Sequence, residues 1–204
     1  MWYTVIKEVM DTSVYDISQE IFSSRIYPGN PLPEKHLLKS YDTGYDSQVS
    51  DLHFCSHIGT HVDAPLHFVP GGLDTDKMDL EKCIGRCTVV TASGELDEEA
   101  VSKLLEKNHS RRLLIHGDIC LRPGGAERIV SERLVLFGTE VFTVGSQEES
   151  ASVHQILLRN AVAILEGIRL EDVPDGEYFL SALPLRMNGL DASPVRAVLM
   201  DDLS

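Results

Sequence analysis

Four of the eight histidines in this chain, His53, His57, His61 and His67, crowd into one short stretch. Its heart reads His57-Ile-Gly59-Thr60-His61-Val-Asp63-Ala-Pro65-Leu-His67-Phe68. His57, Gly59, His61, Asp63, Pro65 and His67 occupy alternate positions, so an extended segment would project all of them from one face. A straight strand is nevertheless excluded. At about 3.3 Å per residue, His57 and His61 would stand roughly 13 Å apart, whereas two imidazoles reaching one ion at about 2.1 Å each need their backbones much closer. The chain must bend between them, and Gly59 is where a tight turn or bulge costs least. Pro65 ends strand pairing soon after. A helical turn would also bring residues 57 and 61 together, but Gly59, Thr60 and Pro65 make a sustained helix poor.

Two imidazoles and a carboxylate suit a borderline divalent ion such as zinc and leave coordination open for water. The segment therefore predicts His57, His61 and Asp63 as metal ligands. His53, in the run Leu52-His53-Phe54, carries no such mark and reads as an ordinary structural histidine. His67 lies past Pro65 and need not face the same ion. A neutral imidazole beside an activated water suits proton transfer near pH 7, so His67 is assigned general acid/base, with a fourth-ligand or supporting role left open. Two other polar residues stand where the pattern wants apolar ones. His154 rides the stripe of a helix with Leu157 and Leu158 at i+3 and i+4. Glu166 ends the alternation Val162, Ile164, Glu166 on a face that otherwise reads as core, and a buried carboxylate needs a cation or strong donors. From spacing alone, this pair is either structural or the start of a second metal site.

The rest of the chain sets the class. Its 204 residues, 43% hydrophobic and 25% charged, fit one globular domain spanning 1–204, with no repeat, linker or low-complexity tract. With 18 basic against 32 acidic residues the net charge is -14, which repels phosphate backbones and anionic lipid, so nucleic acid and membrane surfaces are not expected as partners. No apolar run approaches the roughly 18 residues of a membrane span, and the start, MWYTVIKEVMDTSVYDIS, has no signal-peptide pattern; a cytoplasmic location is expected. Cys55, Cys83, Cys87 and Cys120 form no CxxC pair and read as reduced, with Cys83 and Cys87 at the entry to a strand rather than on a metal.

A short strand is predicted at Val14–Ile17, then a proline-rich loop over Tyr27-Pro-Gly-Asn-Pro-Leu-Pro33. Asp97 caps a predicted helix with the stripe Ala100, Val101, Leu104, Leu105. Strand-length runs follow at 113–115, 134–137 and 141–144, a helix at about 151–159, and strands at 161–168, 178–185 and 194–200. The expected class is α/β with strands dominant.

The segment matches, residue for residue, the His-x-Gly-Thr-His-x-Asp-x-Pro-x-His signature of the putative cyclase superfamily, which includes bacterial kynurenine formamidases and isatin hydrolases. Tyr15-Asp-Ile-Ser18, Pro28-Gly29, Ile164-Leu-Glu-Gly-Ile168, Val173-Pro-Asp-Gly-Glu-Tyr178, Ala182-Leu-Pro-Leu185 and Leu190-Asp-Ala-Ser-Pro-Val-Arg-Ala-Val-Leu199 extend the resemblance along nearly the whole chain, toward the kynurenine formamidases in particular. The resemblance implies a swivelling β/β/α fold, usually a homodimer. It implies a binuclear site, with two zinc ions per subunit or manganese in their place, held by His57, His61 and a bridging Asp63 together with His154 and Glu166. His67 becomes the proton donor and acceptor. The implied reaction is metal-dependent hydrolysis of a small amide, N-formyl-L-kynurenine to kynurenine and formate in tryptophan catabolism, with Tyr27 and Phe68 packing on the aryl ring. The alternatives are a cyclic amide, as for isatin hydrolases, or a non-catalytic metal- or ligand-binding protein. Two departures concern the substrate: Tyr27 stands where kynurenine formamidases place Trp before Pro-Gly, and Gly145-Ser-Gln-Glu-Glu-Ser150 replaces Gly-x-Asp-Thr-Pro-Ser.

Overall fold

The computed structural model describes residues 13–201. In chain order these form β1 (Val14–Asp16), β2 (Glu34–Lys39), β3 (Val49–His53), β4 (His61–Asp63), β5 (Ile84–Thr91), β6 (Gly94–Leu96), α1 (Glu98–Leu105), β7 (Arg112–His116) and β8 (Ile119–Leu121). There follow α2 (Pro123–Ser131), β9 (Leu136–Thr139), α3 (Ser150–Arg159), β10 (Ala163–Glu166), β11 (Gly176–Ser181), β12 (Ala192–Pro194) and β13 (Val198–Asp201). The class is the strand-dominated α/β arrangement that the hydrophobic pattern predicts. No helix among the described residues is long and apolar enough to cross a membrane.

Nine of the described strands form one sheet in the order β1-β13-β11-β5-β7-β9-β10-β4-β12. The central β5-β7-β9-β10 strands are parallel, as helical crossovers require, and antiparallel strands flank them on both sides. The sheet cannot be flat. β12 and β13 lie seven intervals apart in the order, about 34 Å at 4.8 Å per strand. Only Val195, Arg196 and Ala197 join them, a reach of at most about 14 Å. The sheet therefore curls until its ends approach. Bonds from the chain just after β1 to the β4–β10 side fix the closure: Gln19 N–H donates to the Thr60 hydroxyl at 2.9 Å, and Arg169 N–H donates to the Ile17 carbonyl at 2.9 Å. This curl also splits the single strand expected over 194–200 into β12 at one end and β13 at the other.

Side-chain alternation divides the interior into two cores. Leu114, Leu136, Leu165 and Val62 face one side, with Ile17, Leu180 and Leu199. Leu113, Phe137 and Ile164 face the other, where Val101 of α1, Ile129 of α2 and Val153 and Leu157 of α3 cover them. α1 begins as predicted, the Asp97 carboxylate accepting the Ala100 N–H at 2.9 Å. Cys83 and Cys87 lie buried in the first core, where burial pushes both thiols up to about 12.

Three segments differ from expectation. α2 is hidden in the sequence by Gly124-Gly125, which weaken a helix by about 1 kcal/mol each. Gly125 is there because a Cβ would stand 2.2 Å from the Leu96 carbonyl oxygen, so the helix packs on its neighbour through a missing side chain. Residues 141–144 form no strand. The chain leaves the sheet after β9, and the Val144 N–H donates to a carboxylate oxygen of Glu166 at 2.8 Å rather than to a ladder. Finally, the stretch after the proline-rich loop forms a hairpin, β2–β3, which among the described residues pairs only with itself and is exposed along its whole length. With both faces wet it carries no alternation to announce it.

Candidate metal centre and its cleft

β4 lies between β10 and β12, with Glu166 opposite His61 and Ala192 opposite Asp63. His61 and Asp63 are two residues apart and share a face, and the register places Glu166 on it as well. Val62, between them, points into the other core. α3 crosses the same face and delivers His154 from its first half. The bend at Gly59, which holds the left-handed φ of +54°, folds His57 back over the strand. Thr60 pins this loop, its hydroxyl donating to the Gly167 carbonyl at 2.6 Å and accepting the Gln19 N–H at 2.9 Å. The structure thus brings together all five predicted ligands, from three elements and a loop.

Their spacing is chemically specific. His57 Nδ1 and Asp63 Oδ1 are 3.1 Å apart, and His61 Nε2 lies 3.5 Å from both Asp63 Oδ1 and Glu166 Oε2. His154 Nε2 lies 3.5 Å from Asp63 Oδ2 and 3.4 Å from Glu166 Oε1. Two ligand atoms about 2.1 Å from one ion at a tetrahedral angle stand about 3.4 Å apart. The other ring nitrogens show which atoms face inward. His154 Nδ1 lies 2.7 Å from the Ser150 carbonyl and His61 Nδ1 lies 3.1 Å from that of Gly59. Each Nδ1–H donates there, leaving Nε2 aimed at carboxylate oxygens, an arrangement that repels unless a metal cation or a proton stands between. His61 Nε2 and both Asp63 oxygens are buried without a hydrogen-bond partner among the described residues. Asp63, His154 and Glu166 are 0%, 1% and 3% exposed, so water does not relieve them. The donor set fits one or two divalent cations.

Without metal the cluster balances its charge with protons. Burial pulls the His154 and His57 imidazoles down, but the carboxylates beside them prevail and raise them to about 10 and about 9. His61 is raised for the same reason against the same burial. Asp63 and Glu166 are held below the usual carboxylate range despite complete burial, by these imidazoles.

His67 flanks this ring, a ring nitrogen within 4.8 Å of ligand atoms of Asp63 and His154. Its imidazole lies 4.0 Å, centroid to centroid, from that of His57, and its Nδ1 is 3.4 Å from Asp191 Oδ2. Burial, reinforced by the neighbouring His57 and His154, lowers its pKa below 6.5 against the pull of Asp63, so it is neutral at pH 7. His53 lies on the hairpin, bonded to Asp51 at 2.8 Å and outside the cluster. The residue that sequence reasoning missed is Asp191. One of its carboxylate oxygens lies 3.0 Å from His57 Nε2, and the other accepts the Ser56 hydroxyl at 2.9 Å. It comes from the turn before β12, and only the β12–β4 pairing reveals its place.

A cleft of about 220 Å³ opens onto the cluster. Tyr27 and Phe68 both line it, as do Phe142, Thr143, Arg25 and Asn30. Phe68 stacks on the His154 ring at 4.5 Å. Of the divergent stretch 145–150, Ser150 alone lines the cleft, its hydroxyl 3.2 Å from His154 Nδ1, while Gln147 and Glu148 face solvent.

A family model described as Putative cyclase matches residues 15–121. A kynurenine formamidase of Paracidovorax citrulli (strain AAC00-1) is 32% identical over 91% of this chain and 95% of its own. Another, of Erythrobacter litoralis (strain HTCC2594), is 33% identical over 92% and 94%. Among solved structures, a predicted metal-dependent hydrolase from Bacillus stearothermophilus superposes with a TM-score of 0.79 at 26% identity, covering 95% of this chain and all of that one. Isatin hydrolase A from Ralstonia solanacearum shares the fold, with a TM-score of 0.82 at 18% identity over 98% and 96% of the two chains. Matched by the model over more than half its length and by relatives along nine-tenths of it, this chain belongs to the putative cyclase family.

Proposed function

We propose that the protein is a metal-dependent hydrolase of carbon–nitrogen bonds in small amides, and specifically an arylformamidase that cleaves N-formyl-L-kynurenine to kynurenine and formate. The observation that carries the metal reading is the ring of inward-facing imidazole nitrogens and carboxylate oxygens spaced 3.4–3.5 Å apart on side chains that are almost wholly buried. His57, His61, Asp63, His154 and Glu166 would hold zinc or manganese, with Asp63 offering one oxygen toward His57 and His61 and the other toward His154. The kynurenine formamidases similar to this chain support the substrate.

A bound divalent ion supplies a Lewis acid for the amide carbonyl and lowers the pKa of water. The chain's own residues do the rest. His67, neutral at pH 7, accepts a proton from the attacking water and returns it to the departing arylamine nitrogen, so the water adds across the C–N bond and formate leaves. Asp191 orients both His57 and His67. Tyr27, Phe68 and Phe142 give the aryl ring apolar walls. Formate release from N-formylkynurenine, assayed beside isatin, tests the reading. Turnover of the first is expected; turnover of isatin alone would move the protein to cyclic amides, and turnover of no small amide would leave only a binding role.

We also propose a homodimer that buries the β2–β3 hairpin. Leu37, Leu38, Val49 and Leu52 are all exposed on it, with Leu32 73% and Tyr41 66% exposed alongside. A lone hairpin is marginal in water, and a cluster of this kind calls for a partner surface. Leu37→Asp combined with Leu38→Asp is expected to shift the protein from dimer to monomer in analytical ultracentrifugation; an unshifted profile refutes this interface.

A further inference from the structure

We infer that Arg25 makes this cleft selective for amides that carry a carboxylate on an arm away from the scissile bond. The inference rests on the amide-hydrolase reading above and narrows its substrate class.

Arg25 is the one lysine or arginine among the described residues lining the cleft. The surroundings offer an anion no other help: Glu166 lines the same cleft, Asp63 and Asp191 lie beside its histidines, and the chain as a whole carries -14. Any attraction for a carboxylate must therefore be local. The guanidinium carbon sits 4.4 Å from the centroid of the Phe142 ring. Packing against an aromatic ring holds the guanidinium while leaving its N–H groups free to donate. Other arginines of this protein spend those donors on the protein. Arg112 donates to the Lys82 and Arg86 carbonyls, Arg122 reaches Glu149, Arg169 reaches Glu171 and Arg196 reaches Asp16. Among the described residues, it is the Phe142 ring that Arg25 meets.

Position supports the role. Phe142 lies two residues before Val144, whose N–H holds Glu166 at 2.8 Å, and two residues span at most about 7 Å. The pair thus meets the cleft at the segment that anchors one of the cluster's ligands. Tyr27 and Asn30, just after Arg25, line the same wall. An aryl amide with its ring among Tyr27, Phe68 and Phe142 would bring a charged arm to the guanidinium, where a carboxylate can take two parallel charge-assisted bonds. A cyclic neutral amide such as isatin would leave Arg25 unused.

The test compares N-formylkynurenine with 2'-formamidoacetophenone, the same aryl formamide without the amino-acid arm, in the metal-loaded wild type, Arg25→Ala and Arg25→Lys. In Arg25→Ala the kcat/KM ratio of the first substrate to the second is expected to fall about tenfold to hundredfold, chiefly through KM. Arg25→Lys is expected to recover part of it, restoring the charge without the fork. Calorimetric binding of kynurenine against 2-aminoacetophenone should show the same selectivity and the same loss. An unchanged ratio in Arg25→Ala, or equal loss on both compounds, overturns the inference and leaves the hydrolase reading standing. Should the wild type hydrolyse neither formamide, the formamidase reading falls, and the calorimetric comparison alone decides the role of Arg25.

Discussion

Treated with a chelator, the protein is expected to lose turnover and to become alkali-sensitive, its melting temperature falling as the pH is raised from 7 to 10 while that of the metal-loaded form stays level. In the metal-free protein, Asp63 and Glu166 are balanced by protons on His154, raised to about 10, on His57, raised to about 9, and on His61. The same imidazoles in the unfolded chain titrate near 6.5. Folded values above the unfolded one mean that this stabilisation is complete below pH 6.5 and drains away as the pH climbs through 9 and 10. A tenfold gain in proton affinity corresponds to about 1.4 kcal/mol, and because the imidazoles share their carboxylates the total loss is on the order of several kcal/mol. For a chain of this size that is about 10 °C or more in Tm. Metal ions replace the protons and hold the carboxylates at any pH that keeps the imidazoles neutral. Thermal melts at pH 7, 8.5 and 10, with and without chelator, separate the two forms; identical curves would show that no metal occupies the ring.

How much of this site the sequence announces depends on how locally each residue is placed. His57, His61, Asp63 and His67 belong to one short run, and the demand that two imidazoles meet forces the bend that Gly59 makes at φ +54°. His154 and Glu166 stand out as polar side chains on stripes that packing wants apolar, a weaker sign because a satisfied core histidine looks the same. The family resemblance, rather than periodicity, joins them to the first group. Asp191 gives no local sign. It reaches His57 only because β12 pairs with β4, a contact between residues 134 positions apart in the chain. Arg25 is equally silent, since an arginine beside a proline-rich loop is ordinary until Phe142 is found beneath it. The same logic governs the fold. α1 has its cap and stripe within a dozen residues and is legible, whereas α2 depends on a glycine whose reason is the Leu96 carbonyl across the packing interface. The break between β12 and β13 follows from the curl of the whole sheet, which no window of sequence contains.

His67→Ala is expected to lower kcat by about a hundredfold to ten-thousandfold, the range for removal of a general acid/base, and to leave the bound metal in place. His67 flanks the ligand ring: its Nδ1 meets Asp191 at 3.4 Å and a ring nitrogen lies within 4.8 Å of ligand atoms of Asp63 and His154, but it makes none of the 3.4–3.5 Å pairs that His61 and His154 make with Asp63 and Glu166. Its environment also keeps it ready to take a proton, since burial and the neighbouring histidines hold its pKa below 6.5. A base works in its neutral form, so wild-type kcat/KM should be flat through neutral pH and should fall on the acid side only as His67 takes up its proton, below 6.5. In His67→Ala that limb disappears, and any decline left at low pH must track metal loss from His57, His61 and His154 instead. Rate profiles from pH 5 to 8, with metal content measured on the same samples, distinguish the two causes. A variant that sheds its metal makes His67 a ligand, and one that turns over at the wild-type rate shows that the proton travels by another route, for which Asp191, shared by His57 and His67, is the nearest group.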